Sequence, residues 1–103
     1  MKQAVFDFAT IKTMDDFYTE AFAKFQFPEY FGNNLDALWD SLTGGIELPV
    51  DISFVNLSTE QTEQFYDLII LMEDAAIALE EDLYFEYSLR DEQEDLFFNG
   101  IEL

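Results

Sequence analysis

The residues from 28 to 45 read PEYFGNNLDALWDSLTGG, and they contain a short predicted helix from about Asn34 to Thr43. Two glycines follow this helix directly, and glycine commonly ends a helix because its backbone leaves the helical conformation easily. At about 100° per residue, Leu35, Leu38 and Leu42 share one face of the helix. The three leucines therefore predict a helix that packs against a hydrophobic core, which the rest of the chain has to supply.

On either side of this stretch, three segments alternate apolar and polar residues, as strands with one buried face do: residues 3–8, 50–55 and 83–89. Two further helices are predicted, one after Thr13 and one after Ser58, and each of these residues can start a capping box. The order is strand, helix, helix, strand, helix, strand. Because strands joined through helices usually run parallel, we expect an α/β fold with a small three-stranded parallel β-sheet packed with three or so α-helices.

The length of 103 residues suits one compact domain. The last predicted strand ends at Leu89, so we assign residues 1–89 to the domain. Residues 90–103 then form an acidic C-terminal extension that ends in LFFNGIEL. The Asn99-Gly100 pair favours a hairpin turn, but the arms beside it are short, so an extra edge strand and a loose tail are both open.

Half of the residues are hydrophobic, which is enough for a packed core, and yet the formal net charge is −19 from 4 basic and 23 acidic side chains. Such a surface repels nucleic acid and anionic membranes. It attracts basic proteins, because opposite electrostatic fields steer their encounter. We therefore expect a basic protein as the partner, neither nucleic acid nor membrane as a partner, and a monomer in the free state.

The sequence contains neither cysteine nor histidine. Their absence removes disulfides, thiolate catalysis, the commonest general base and the commonest ligands of transition metals. We therefore expect no catalysis, no cofactor and no metal. Asp7 interrupts the apolar residues near the N-terminus, so this segment lacks the core of a signal peptide, and a cytoplasmic location is expected.

The predicted helix has a second face, on which Asp36, Asp40 and Thr43 lie together beside Trp39. A solvated surface explains Asp36, because an acid in the first turn interacts favourably with the helix dipole. It does not explain Asp40, because aspartate is a weak helix former and repels Asp36 one turn away by about 0.2–0.5 kcal/mol. A residue that disfavours the local structure, with no visible interaction that offsets this effect, often belongs to a functional site. These carboxylates are therefore candidates for binding a partner.

The run from Pro28 to Asp40, PEYFGNNLDALWD, followed by LTG at residues 42–44, closely resembles the signature of the barstar family, the intracellular inhibitors of the ribonuclease barnase. A weaker likeness extends from Met1 to about Leu89. The resemblance implies a barstar-like fold and an intracellular protein that binds a basic ribonuclease, or a related toxin, one-to-one. It implies further that an acidic helix and the loop before it enter the active site of the enzyme and occlude it.

By this resemblance, the residues that bind the partner are Tyr30, Phe31, Gly32, Asn34, Leu35, Asp36, Trp39, Asp40, Thr43, Gly44 and Asp74. Asp40 takes the place of a substrate phosphate and meets the catalytic cations, whereas Asp36 pairs with a nearby basic or polar group. Tyr30 packs on the enzyme beside its active site. An acidic residue of the last helix also takes part, and Asp74 is its best match, with Glu73 as the alternative.

The sequence departs from the family pattern at two positions in this stretch. Phe31 stands where a second tyrosine is common, so one phenolic hydroxyl is missing. Gly45 stands where the type member of the family has an aromatic residue, so one contact surface is lost. These changes bear on the identity of the target more than on the way it is bound.

Three other interpretations compete with this one. A hydrolase could use Asp36 and Asp40 as paired carboxylates, but both would lie on a convex helix face instead of in a cleft. A carboxylate calcium site is weakly indicated, because the spacing of an EF-hand is missing. A barstar-fold immunity or interaction protein with a non-ribonuclease partner is the strongest alternative, because a fold does not determine a function.

Overall fold

The computed structural model describes residues 1–28 and 32–90, and that part of the chain forms three strands and four α-helices. Along the chain the elements are β1 Lys2–Asp7, α1 Met14–Phe25, α2 Leu35–Gly44, β2 Val50–Leu57, α3 Thr59–Gln64, α4 Tyr66–Leu79 and β3 Leu83–Leu89. A short 3₁₀ turn, Glu80–Asp82, joins α4 to β3.

The three strands form one parallel sheet in the order β1-β2-β3. Ala4 lies beside Ile52, and Ile52 lies beside Phe85, so apolar residues of all three strands fall on the face that the helices cover. This arrangement confirms the predicted α/β fold with a small parallel sheet. On the opposite face, the side chains of Val5 and Tyr84 are 50% and 46% exposed.

Both predicted capping boxes form, and each one starts a helix where the sequence indicated. The Thr13 hydroxyl oxygen accepts a hydrogen bond from the Asp16 amide at 3.1 Å, and the Asp16 carboxylate accepts one from the Thr13 amide at 3.2 Å. Ser58 and Gln61 make the same reciprocal pair at 3.1 and 3.0 Å. These local bonds satisfy amide groups that the first turn of a helix leaves without partners.

The predicted helix after Ser58 is in fact two helices, which brings the helix number to four. The break lies at Phe65, whose backbone leaves the helical conformation at φ −103° and ψ 23°. Its side chain is buried, and the ring packs edge to face on Phe8 with the centroids 5.0 Å apart. Burial of this ring in the core stabilises a break that the continuous helical spacing did not predict.

The core is rich in aromatic side chains, and Phe54 of the central strand lies in its middle. Its ring is fully buried and, within the described part of the chain, contacts four others: Phe6 at 5.7 Å, Phe8 at 4.9 Å, Phe17 at 5.7 Å and Phe85 at 4.9 Å between centroids. These partners come from β1, the turn after β1, α1 and β3. One side chain therefore ties the whole sheet to α1.

A bulge in β2 turns Asn56, at φ 62°, toward the end of β1. Its amide donates a hydrogen bond of 2.9 Å to the Asp7 carboxylate, which also accepts one from the Ala9 amide. The bond from Asn56 is the strongest influence that holds the pKa of Asp7 below its usual value. The Ala9 amide and the positive charge of Arg90 lower this pKa further.

Arg90, the first residue of the predicted extension, bonds closely to the domain. Its guanidinium donates to the Phe8 carbonyl at 2.9 Å and to the Asn56 carbonyl at 2.7 Å, and its amide donates to the Leu57 carbonyl at 2.9 Å. The buried amide of Gln61 donates to the same Phe8 carbonyl at 3.0 Å. Arg90 thus joins the ends of β1 and β2, while the rest of the extension, residues 91–103, lies outside the described residues.

Candidate partner-binding surface

Asn34 sets the start of α2 and connects it to the loop before it. The side-chain oxygen of Asn34 accepts a hydrogen bond of 2.8 Å from the Ala37 amide, and its side-chain nitrogen donates one of 2.7 Å to the Gly32 carbonyl. A Cβ atom on Gly32 would lie 3.1 Å from that nitrogen, so a larger residue there would disturb the cap. Asn34 and Gly32, both predicted to contact a partner, therefore also hold the local backbone in place.

The side chains that are buried and exposed on α2 agree with the two faces predicted from helical spacing. Leu38 and Leu42 are fully buried, and Leu35 and Trp39 are half-buried. Asp36 and Asp40 are both exposed on the neighbouring face. Because the leucines anchor the helix in the core, the two carboxylates are presented on a backbone with little freedom to move.

The last turn of α2 contains Thr43 and Gly44. The Thr43 hydroxyl donates a hydrogen bond of 2.8 Å to the Trp39 carbonyl, so its proton is used within the helix while its oxygen can still accept. A Cβ atom on Gly44 would meet no atom of the described residues within 4 Å, and no described glycine has a positive φ. Neither space nor backbone conformation in this part of the protein therefore requires glycine at position 44.

A shallow groove of about 390 Å³ runs between α2 and α4 beside these residues. Its lining consists of Leu35, Asp36, Trp39, Asp67, Ile70, Leu71 and Asp74. The fold thus brings the predicted Asp74 next to Asp36 and Trp39, whereas Glu73 does not line the groove. The sequence interpretation missed Asp67, Ile70 and Leu71, although their spacing of seven, four and three residues from Asp74 places them on the same side of α4.

The carboxylates of this surface have no basic partner in the part of the chain that the structure describes. The ion pair found there joins Lys24 and Glu20 of α1 at 3.9 Å, and neither α2 nor α4 contains lysine or arginine. The described residues also hold no group of three or more side chains that could bind a metal ion. The described part of this surface is therefore anionic, and neither α2 nor α4 supplies a cation that compensates its charge.

Of the residues predicted to contact a partner, Tyr30 and Phe31 lie outside the described residues. The remaining nine lie at the end of the loop, on α2 and on α4, and their roles stay predictions.

Asp36 and Asp40 share one exposed helix face, which does not provide the two different environments that a catalytic acid and base need. The helices of the described residues include none with the length and hydrophobicity of a membrane span.

The sequence is similar to a known protein family and to known proteins. Residues 1–95 match the model of a family described as "Barstar (barnase inhibitor)". A protein of Bacillus subtilis (strain 168) with the name "Putative ribonuclease inhibitor YrdF" is 34% identical over 62 residues, which cover 60% of this chain and 68% of that protein.

Proposed function

Since this chain belongs to the barstar family, we propose that it binds a basic ribonuclease one-to-one and occludes its active site with α2 and the loop before it. The observation that carries the proposal is the ridge of Asp36 and Asp40 beside Trp39, exposed on a helix that Leu38 and Leu42 anchor in the core. Family and relative both indicate an inhibitor instead of an enzyme.

The chemistry of a ribonuclease active site explains why such a ridge fits it. The site binds phosphates, so it is cationic, and a carboxylate can take the place of a phosphate there. A carboxylate on an anchored helix loses little conformational freedom when it enters, so little of the interaction energy is spent on ordering. Charge-assisted hydrogen bonds that become buried at the centre of an interface can then contribute strongly to affinity.

The acidic composition supports the remaining parts of the proposal. A net charge of −19 steers the protein toward a basic enzyme and away from RNA, which is itself an anion. Two free copies also repel each other, which favours a monomer before the complex forms. Inhibition of this kind protects the cell that makes the enzyme, so we place the protein in the cytoplasm.

Inhibition without catalysis is the direct test. The purified protein should suppress RNA cleavage by barnase, or by another enzyme of a panel of basic microbial ribonucleases, with an end point at one inhibitor per enzyme. Alone, it should cleave no RNA, glycoside or ester. Association should slow steeply as sodium chloride rises, because salt screens the steering between opposite charges, while dissociation changes less.

Two results would contradict this proposal in different ways. If no ribonuclease of the panel is inhibited at micromolar protein, the partner belongs to another class of protein. If purified protein turns over a substrate and Asp36→Asn or Asp40→Asn abolishes that turnover, the protein is a hydrolase.

Gly44→Ala is expected to separate stability from binding. Alanine is the better helix former, and position 44 has room for a methyl group, so the free energy of unfolding should rise. Because Gly44 is the last residue of the helix, the rise should be smaller than the roughly 0.5–1 kcal/mol that this change gives in a helix interior. The same methyl group should weaken ribonuclease binding if the enzyme approaches this turn closely. Urea unfolding and an inhibition titration of both proteins measure the two effects. Equal or tighter binding by the variant would show that no close approach occurs at Gly44.

A further inference from the structure

Strand β3 forms one edge of the sheet, and among the described residues no strand pairs with its outer side. Its sequence, LYFEYSL, contains neither lysine nor proline, two residues that commonly keep an edge strand from pairing with another chain. The other edge strand, β1, starts with Lys2. An edge without such protection can bind a strand of a partner, whose amides and carbonyls continue the row of hydrogen bonds. Of the two edges, β3 is therefore the one suited to a further strand.

The side chains of β3 present a different chemistry on each face of the sheet, because successive residues of a strand point to opposite faces. On the open face, Tyr84 is 46% exposed, and Glu86 is exposed two residues further along. On the other face, the helices leave Tyr87 and Leu89 45% and 46% exposed. A strand that binds at this edge would therefore place every second side chain beside an acidic surface and the others beside an apolar one.

A pocket of about 390 Å³ lies at this acidic surface, and its lining consists of Met1, Asp51, Tyr84, Phe85 and Glu86. Asp51 is the neighbour of Tyr84 in the sheet register, so the Cα atoms of Asp51 and Glu86 are about 8 Å apart. Neither carboxylate forms an ion pair with a described residue. Carboxylates and the face of a tyrosine ring are the groups that bind the ammonium of lysine or the guanidinium of arginine. The pocket therefore suits a basic side chain.

We propose that β3 is a second docking site, which binds an extended segment of a basic protein as an added strand of the sheet. The segment has lysine or arginine at alternate positions, facing Asp51 and Glu86, and apolar side chains between them, facing Tyr87 and Leu89. Charge complementarity supports this occupant over a second copy of the chain, because two copies with a net charge of −19 repel each other.

The docking site is separate from the surface proposed to bind a ribonuclease. Leu38 and Leu42 of α2 belong to the core on the covered face of the sheet, whereas the pocket opens on the other face. The segment therefore belongs to a protein other than a ribonuclease bound at α2, and the inference does not depend on the proposed function.

Synthetic peptides test the site on the full chain in about 0.15 M sodium chloride, which screens attraction at long range. The probe alternates lysine and valine over about ten residues, enough to span β3, and should bind one-to-one. A peptide of the same composition with its lysines in one block should bind about 10-fold more weakly, because it cannot separate charged and apolar side chains onto opposite faces. The alternating peptide with N-methylated backbone amides should lose as much, because its charge is unchanged but its hydrogen bonds to the edge are lost.

Two double variants and hydrogen exchange locate the bound peptide. Asp51→Asn combined with Glu86→Gln should raise the Kd of the alternating peptide about 5-fold. Glu60→Gln combined with Glu63→Gln removes the same charge from exposed positions of α3 and should change Kd less than about 2-fold. Urea unfolding shows that each variant is folded. On binding, the amides of β3 that point away from β2 should become protected from exchange, whereas the outer amides of β1 should not.

Several results would overturn the inference. The alternating peptide fails to bind, or either control peptide binds as tightly, so that net charge alone attracts them. The two double variants bind the peptide alike, or protection appears at β1 instead of β3. The outward amides of β3 are already protected in the free protein, because the chain itself covers them if sedimentation velocity finds a monomer, or a second copy does if it finds a dimer.

Discussion

Asp40→Ala should weaken ribonuclease binding by about 30- to 1,000-fold while leaving the fold intact or slightly more stable. Truncation of a central, desolvated charged residue costs about 2–4 kcal/mol of binding free energy, and 1.4 kcal/mol corresponds to a factor of ten. An aspartate of barstar itself marks the upper end of the known range for such residues.

The effect of Asp40→Ala on stability should have the opposite sign. Asp40 is exposed, lies one turn from the like charge of Asp36, and has no ion pair within the described residues. Removing it relieves a repulsion of about 0.2–0.5 kcal/mol and replaces a weak helix former by the best one. The free energy of unfolding should therefore rise by a few tenths of a kcal/mol or more.

Inhibition titrations and urea unfolding of wild type and variant measure both effects. Glu86→Ala is the matched control, because it removes one exposed carboxylate from the open face of the sheet. It should change affinity only through the small loss of net charge. A clearly destabilised Asp40→Ala protein would show that Asp40 is structural, and nearly unchanged binding would place it at the rim of the interface or outside it.

Phe54→Ala should lower the free energy of unfolding by about 3–5 kcal/mol, the usual cost of emptying the space of a buried phenylalanine. The Phe54 ring is fully buried and contacts four other rings among the described residues, so the neighbours cannot all move inward to fill the space. Domains of this size are stable by only about 5–15 kcal/mol, so a large part of the folded population can be lost near physiological temperature.

Denaturant unfolding followed by the fluorescence of the single tryptophan provides the measurement. Tyr84→Ala is the control, because that ring is also on the sheet but is 46% exposed on its open face. It should cost clearly less than Phe54→Ala. A loss below about 1 kcal/mol for Phe54→Ala would mean that the aromatic core repacks around the missing ring, contrary to the close packing that this structure shows.

The elements that depend on neighbours in sequence could be predicted from the sequence. The capping boxes at Thr13 and Ser58 formed because each one joins residues three positions apart. The alternation of apolar residues predicted all three strands, and the leucine spacing of α2 predicted which face carries Asp36 and Asp40. In each case the interaction joins residues that are close in sequence, or it follows from the regular spacing of apolar residues along the whole element.

Features that join distant segments of the chain follow from tertiary packing. The break at Phe65 follows from the burial of its ring against Phe8, more than fifty residues earlier, which overrides a helical pattern that continues on both sides. The position of Arg90 depends on carbonyl groups of two other strand ends. The ridge on α2 could therefore be predicted from local spacing. The packing of α4 against α2 brings Asp67 and Asp74 into one groove with Asp36, because contacts between helices depend on the sheet that holds both helices in place.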